Sequence, residues 1–449
     1  MTFFPFHGAG TPEHTAALPK AADVVVIGGG IAGVTTAWEL AGQGLQVVLC
    51  EKGRVAAEQS GRNWGWIRVQ GRDPAEIPLV LEARRHWTRW AERLGPALGH
   101  RVAGVTYLAR DAAEVSDYES WLEQARDYDL DSRLLSRAQI AALFPDAPPG
   151  HWPGALHTPS DGRAEPFVAV PMIARAVAAA GVAIREHCAV RALDIAAGRV
   201  AGVITEAGRI ACDAVVLAGG AWSSLLLRAH GVSIPQLAVL SSVAATAPMP
   251  AFFDGAAADR DFALRRRADG GYTLAPGSSH VFHLGPDAFR HVAAFRAIVR
   301  ESWRSTRFRA GAPRGFPDAW TTPRRWSPDR PGPFEAMRVL DPAPDMRALK
   351  AVCDAFAAAF PALGRPELRA TWAGMIDTMP DVVPILDPVA ALPGLVLGTG
   401  LSGHGFGIGP AVGRVLADLV TGRDPGHDLT RFRLARFADG SRVTPGPAL

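Results

Sequence analysis

The chain has 449 residues, with 47 lysines and arginines against 44 aspartates and glutamates, for a formal net charge of +3. That length fits two or three domains with sizeable cores, and 48% hydrophobic with 20% charged residues is ordinary for a globular protein. The near balance of charge excludes a dedicated nucleic-acid binder, which concentrates basic residues.

Only Lys20, Lys52 and Lys350 are lysines, so arginine supplies nearly all the basic charge. Cys50, Cys188, Cys212 and Cys353 are scattered, which excludes a disulfide framework and zinc-site spacing. No cluster has metal-ligand spacing, and no metal is expected. Residues 1–20 lack a basic start followed by an apolar core. The uncharged stretch 388–413 is too rich in glycine and proline for a transmembrane segment. The reading is a cytoplasmic protein.

In chain order, residues 1–20 read as a flexible tail. Residues 23–27 form a short apolar strand of the kind buried in a parallel sheet. A glycine turn leads into a helix over 31–43, which Gly44 ends, and 45–50 is a second strand. This is a βαβ unit. Residues 110–145 turn helical, with Ser136 and Gln139 at capping-box spacing. A helix over 166–180 precedes strands near 183–187, 199–204 and 208–217. Strand-like alternation at 238–246 and 262–275 is followed by an arginine-studded helical stretch over 286–309. A proline-rich segment spans 312–334. A helix over 344–360, strands near 367–373 and 394–399, and a final helix from 411, with Pro410 in its first turn, complete the chain.

Gly28, Gly30 and Gly33 match G-x-G-x-x-G after a strand and before a helix. Gly28 allows the tight turn, Gly30 the approach of a pyrophosphate, and Gly33 the close packing of helix on strand. The helix N-terminus, Ile31 and Ala32 included, offers N–H groups and a positive dipole end to phosphate. Glu51, ending the second strand, suits ribose hydroxyls and disfavours a 2′-phosphate. A second glycine-rich loop, from Gly398 to Gly409, contains Gly400, Gly403, His404, Gly405, Phe406 and Gly407. Its helix end suits the negative charge of a reduced flavin ring. Two such loops point to FAD rather than NAD.

With these blocks, Ser60–Arg72, the Gly219-Gly220-Ala-Trp222-Ser run and the segment 372–410, the chain resembles the D-amino-acid oxidase superfamily. The likeness is to its glycine oxidase, sarcosine oxidase and D-amino-acid dehydrogenase-like branch. The resemblance implies an α/β fold: a Rossmann-type FAD domain joined to an α+β substrate domain with a mostly antiparallel sheet. The FAD domain is expected at 21–105, 155–232 and 366–440, and the substrate domain at 106–154 and 233–365. It implies oxidation of the C–N bond of an amino acid or amine by hydride transfer to flavin N5, with hydrolysis of the imine. Oxygen or another acceptor would take the electrons. Alternatives are oxidation of a 2-hydroxy acid on the same fold, or a flavoprotein subunit of a larger electron-transfer complex. Lys52, Ser60, Asn63, Trp64, Gly65, Val190, Gly219, Gly220, Trp222 and Gly374 join the expected FAD contacts.

The chain also departs from the sarcosine oxidase pattern. Gly407 stands where that pattern has a carboxylate-binding lysine, and Gly71 where it has the partner arginine, with Arg72 adjacent. No lysine matches the oxygen-activating one, and no cysteine matches the covalent flavin link, so FAD is expected to be noncovalent. A substrate carboxylate then needs an arginine: Arg68, Arg72, Arg265 and Arg324 are candidates. Trp64, Trp66, His404, Tyr272 and Asp377 are the other expected substrate-side residues, with His280 and His283 on nearby strands. Asp381 is expected to cap local structure.

Overall fold

The computed structural model describes residues 10–446. A six-stranded sheet runs in the order Ile385–Pro388, Leu395–Thr399, Ala214–Leu217, Val24–Ile27, Val47–Cys50, Ala183–Arg185. Every pairing in it is parallel except that of the edge strand Ile385–Pro388. Its central strands are buried throughout, which is why they read as unbroken Val/Ile/Leu runs.

The helix Ile31–Gly42 covers this sheet and packs on the helix Gly405–Thr421. Small residues set that distance. A Cβ on Gly413 would stand 2.3 Å from Thr35 Oγ1, and one on Gly409 2.6 Å from the Ile31 side chain. The second helix starts at Gly405, six residues earlier than expected, with Pro410 inside it. Pro410 has no N–H to give to Phe406 O; beside it Trp87 Nε1 donates to Gly407 O at 3.1 Å, and Thr35 Oγ1 lies 2.9 Å from Gly409 O.

A ten-stranded, mostly antiparallel sheet forms the second layer. Its longest pairing joins Leu237–Thr246 to Leu368–Thr378. Two strands from segments expected in the FAD domain take part in it. Ala155–Thr158 pairs with Val105–Leu108, and Leu368–Thr378 with Leu237–Thr246, so both belong to this sheet. Cross-strand pairing that is distant in sequence decides membership, and no local pattern reports it. The helical stretch expected over 286–309 is two helices, Pro286–Arg290 and Val292–Ser302, followed by the strand Thr306–Arg309.

Ser136 and Gln139 do form the capping box of the helix Arg137–Leu143. Of the expected flexible tail, residues 1–9 lie outside the described residues. The remainder is tied down: Glu13 N donates to Glu186 Oε2 at 2.5 Å, Arg175 pairs with Glu13, and Arg185 Nη1 donates to Thr15 O at 2.8 Å. Among the described residues no helix is long and apolar enough to cross a membrane.

Candidate active site

A cavity of about 420 Å³ lies between the two sheets, and both glycine loops open onto it. At one end stand Gly28, Gly30, Ile31, Ala32 and Glu51. Gly28 has φ +111°, and a Cβ there would meet Ala218 O at 2.4 Å, so the turn requires glycine. Gly33 is off the wall, where a Cβ would stand 2.0 Å from Gly28 O; it lets the helix sit on the turn. No side chain caps the helix at Gly30. One N–H is nevertheless taken, since Ile31 N donates to Ser60 Oγ at 2.9 Å. Glu51 accepts from Gly29 N and Gly53 N, both at 2.7 Å, and burial raises its carboxyl above the usual range. Each of its oxygens keeps a second lone pair for a ribose hydroxyl.

Further along the same wall, Lys52 Nζ bonds Glu58 at 2.6 Å and lies 4.3 Å over the Trp222 ring, and Trp222 Nε1 donates to Glu58. Val190, Gly219 and Gly220 line this stretch too. Asn63 and Gly374 also border the cavity, as do Gly403, His404, Gly405 and Phe406 at the second helix N-terminus. Two glycine turns, a half-buried acceptor after the second strand and two helix ends on one cavity fit a dinucleotide with an anionic ring.

Three expected cofactor contacts are set back from the wall. Gly65 packs by hydrogen-bonding Ala164, Gly400 N donates to Asp377 Oδ2 at 2.8 Å, and Gly407 packs on Trp87. These glycines shape the loops from behind.

The other end of the cavity holds Trp64, Trp66, Arg68, Arg72, His280 and His404. The two tryptophans meet edge to face, ring centroids 5.3 Å apart. Arg68 lies over Tyr107 at 5.3 Å and hydrogen-bonds Gln70 O. Arg72 is 3% exposed, and its Nη1 is buried with no partner. The indole Nε1 of Trp66 is also buried and unpartnered. Burial, and then the Arg68 charge, push Arg72 down to about 9.

His404 donates from Nδ1 to the buried Glu76 carboxylate at 2.9 Å. Burial works to raise Glu76, but His404, Arg72 and Arg68 outweigh it and hold the carboxyl below its usual value. Burial, and next Arg72, push His404 down to about 4. The imidazole is therefore neutral, with Nε2 left as an acceptor.

Several expected substrate-side residues lie elsewhere. Tyr272 is fully buried in the large sheet and donates to Phe253 O at 2.7 Å, away from the cavity. Its strand alternates, and the tyrosine falls on the core face. Arg265 is locked bidentately to Glu165 at 2.8 and 3.0 Å, and Arg324 pairs with Asp318. His283 packs at Phe316 rather than at the cavity. Asp381 forms a buried pair with Arg436 at 2.8 Å as well as accepting from Val383 N. Asp377 does line the cavity, but Gln236 Nε2 and Gly400 N already occupy its Oδ2. Glu76, behind His404, and the wall segment from Pro276 to Ser279 carry no motif to mark them, whereas His280, a candidate in the sequence, lines the cavity.

Residues 23–419 match the DAO family, described as FAD dependent oxidoreductase. The chain belongs to this family, and it is an FAD-dependent oxidoreductase. The chain is 31% identical to a solved L-amino acid deaminase from Proteus myxofaciens in complex with anthranilate, with a TM-score of 0.89 over 94% of this chain and 95% of that one. It is 27% identical to glycine oxidase of Pseudomonas putida, over 90% of this chain and 95% of that protein. Human mitochondrial sarcosine dehydrogenase is 31% identical over 49% of this chain, but the match spans only 25% of that longer protein.

Proposed function

We propose that the enzyme oxidises the C–N bond of an α-amino acid, the carboxylate seated against Arg68 and Arg72 and the side chain beside Trp64 and Trp66. The observation that carries this reading is a pair of buried, unpartnered donors, Arg72 Nη1 and Trp66 Nε1, on residues of the same cavity end. A buried guanidinium N–H without an acceptor is costly, and a carboxylate accepts two parallel bonds from such a group. The tryptophan rings favour an apolar or aromatic side chain. The likeness to an L-amino acid deaminase that binds anthranilate, an aromatic carboxylate, points the same way.

FAD, held by the two glycine loops, would supply a hydride acceptor. The protein's part is to hold the substrate and its protons. Arg68 and Arg72 fix the carboxylate and so orient the α-carbon. His404, kept in one tautomer by Glu76, presents Nε2 as an acceptor for an N–H of the substrate amine. Loss of hydride and one amine proton leaves an imino acid, which water converts to a keto acid and ammonia. The four cysteines are buried thiols, and only Cys50 borders the cavity, which favours noncovalent FAD.

An anaerobic flavin-reduction screen tests the proposal. Amino acids with large apolar or aromatic side chains should bleach the flavin. Their esters and the corresponding 2-hydroxy acids should do so far more slowly. Equal bleaching by acid and ester would remove the arginine clamp, and preference for hydroxy acids would reassign the reaction to a C–O bond. Admitting air afterwards reports whether oxygen reoxidises the enzyme.

A further inference from the structure

The most unusual surface of the molecule lies between residues 286 and 316. This stretch carries seven arginines and two acids, Asp287 and Glu301, a local charge of +5 in a protein whose whole formal charge is +3. Two of the arginines are engaged, Arg290 with Asp287 and Arg307 with Asp345. The same stretch leaves large apolar side chains in water. Phe289 is 62% exposed, Val292 65% and Trp303 58%, and Trp320 just beyond is 61% exposed. Val299 and Phe308 are also exposed.

The arrangement follows from helix geometry. In Val292–Ser302 the buried Phe295 and half-buried Ile298 face the protein. Val292, Arg296, Val299 and Trp303, spaced i, i+4, i+7 and i+11, fall on one outward stripe. Arg304 lies over the Trp303 ring at 5.4 Å, and the Phe289 and Trp320 rings meet at 6.0 Å. Scattered exposed apolar residues need no explanation, but a cluster of them among arginines does.

We propose that this face docks on an anionic lipid bilayer as a peripheral, interfacial element. Exposed tryptophan and phenylalanine beside arginine is the chemistry of a helix lying in the headgroup region, where rings reach the acyl boundary and guanidinium groups meet lipid phosphate. A second copy of the chain is a poor occupant, because two such faces would bring like charges together. The face also adjoins the active site. The strand Thr306–Arg309 pairs in parallel with His280–His283, and His280 lines the cavity. A seated molecule therefore holds its substrate end one strand from the lipid.

The test uses the FAD-loaded full chain and co-sedimentation with vesicles of phosphatidylcholine, with and without phosphatidylglycerol. Binding is expected to the anionic vesicles at low salt and to fall steeply in high salt. Arg300→Gln with Arg304→Gln should weaken partitioning about fivefold per arginine removed. Phe289→Ser with Trp303→Ser should weaken it as well, with flavin absorbance and thermal midpoint unchanged in both variants. No binding to anionic vesicles at low salt overturns the proposal. So does equal binding to the two vesicle types, or binding that neither variant reduces. A dimer in solution that Phe289→Ser with Trp303→Ser dissolves would instead assign the face to a second copy.

Discussion

Arg72 gives up hydration without gaining a full set of protein acceptors, so its removal has a specific signature. Arg72→Gln should lower kcat/KM for amino acids by on the order of 10²-fold, the usual size for one member of a desolvated charge pair. Oxidation of amines that lack a carboxylate should change little. Arg72→Lys should not restore the loss, because a point charge cannot form the bidentate pair. Equal losses for both substrate types would mean that Arg72 is structural. His404 gives a second residue-level prediction. With its value pushed down to about 4, the ring stays neutral from pH 5 upward and adds no limb near its ordinary pKa. Flavin-reduction rates against pH, for the wild type and His404→Gln, check this. A limb near neutral pH that the substitution abolishes would contradict it. The cavity residues that were legible in the sequence were those with a local signature: Gly28, Gly30 and Glu51 carry a fixed spacing. Glu76 was not legible, since a glutamate opening a helix has no mark that its partner lies 328 residues away. Tyr272 was misassigned because strand alternation fixes two faces without saying which one meets the cavity.

Three helical and loop segments meet at one carboxylate. Glu82, on the helix Ile77–Leu94, accepts from Arg414 at 2.8 Å, from His427 at 2.6 Å and bonds His86 at 3.1 Å. Burial works to raise this carboxyl, but His427, His86 and Arg414 outweigh it and set it far below the ordinary glutamate value. A depressed value makes its contribution to stability complete above the unfolded value of about 4.3, and that contribution is lost as pH falls through the folded one. Thermal midpoints measured from neutral to acid pH should therefore fall on acidification, and Glu82→Gln should flatten that acid limb while lowering the midpoint at pH 7. An unchanged acid limb would exclude Glu82 as its source. Element boundaries show the same divide between local and distant information. The capping box of Arg137–Leu143 was readable because Ser136 and Gln139 are three residues apart. The start of Gly405–Thr421 differs from the expectation because Pro410 suits a first turn but here lies inside the helix, which forgoes one backbone bond there.

For the whole molecule, the two glycine loops that would hold FAD border one cavity only once the chain has folded. Ligand that binds only the folded state stabilises it by about 2.7 kcal/mol at 100 times Kd. For a chain of this length that corresponds to a rise of about 3 °C in thermal midpoint. Deflavinated protein titrated with FAD should show the rise, and an unchanged midpoint at saturation would place the cofactor outside the folding unit. The two-layer α/β plan is legible through the family resemblance, while periodicity by itself gives the βαβ unit over 23–50 and the strand-like alternation at 238–246 and 262–275. The exchange of Ala155–Thr158 and Leu368–Thr378 between layers is not legible, because sheet membership is a long-range property.

The order of the parallel sheet also sets a timetable. Val24–Ile27 pairs with Ala214–Leu217, which waits in turn for Leu395–Thr399. At about 5–20 residues per second, a ribosome needs roughly 20–70 s to pass from the first of these strands to the last. Throughout that interval the nascent helix Ile31–Gly42 lacks the helix that will cover it. The seam of Thr35, Gly409 and Gly413 thus closes late, and the newborn chain exposes that apolar face until the helix Gly405–Thr421 emerges.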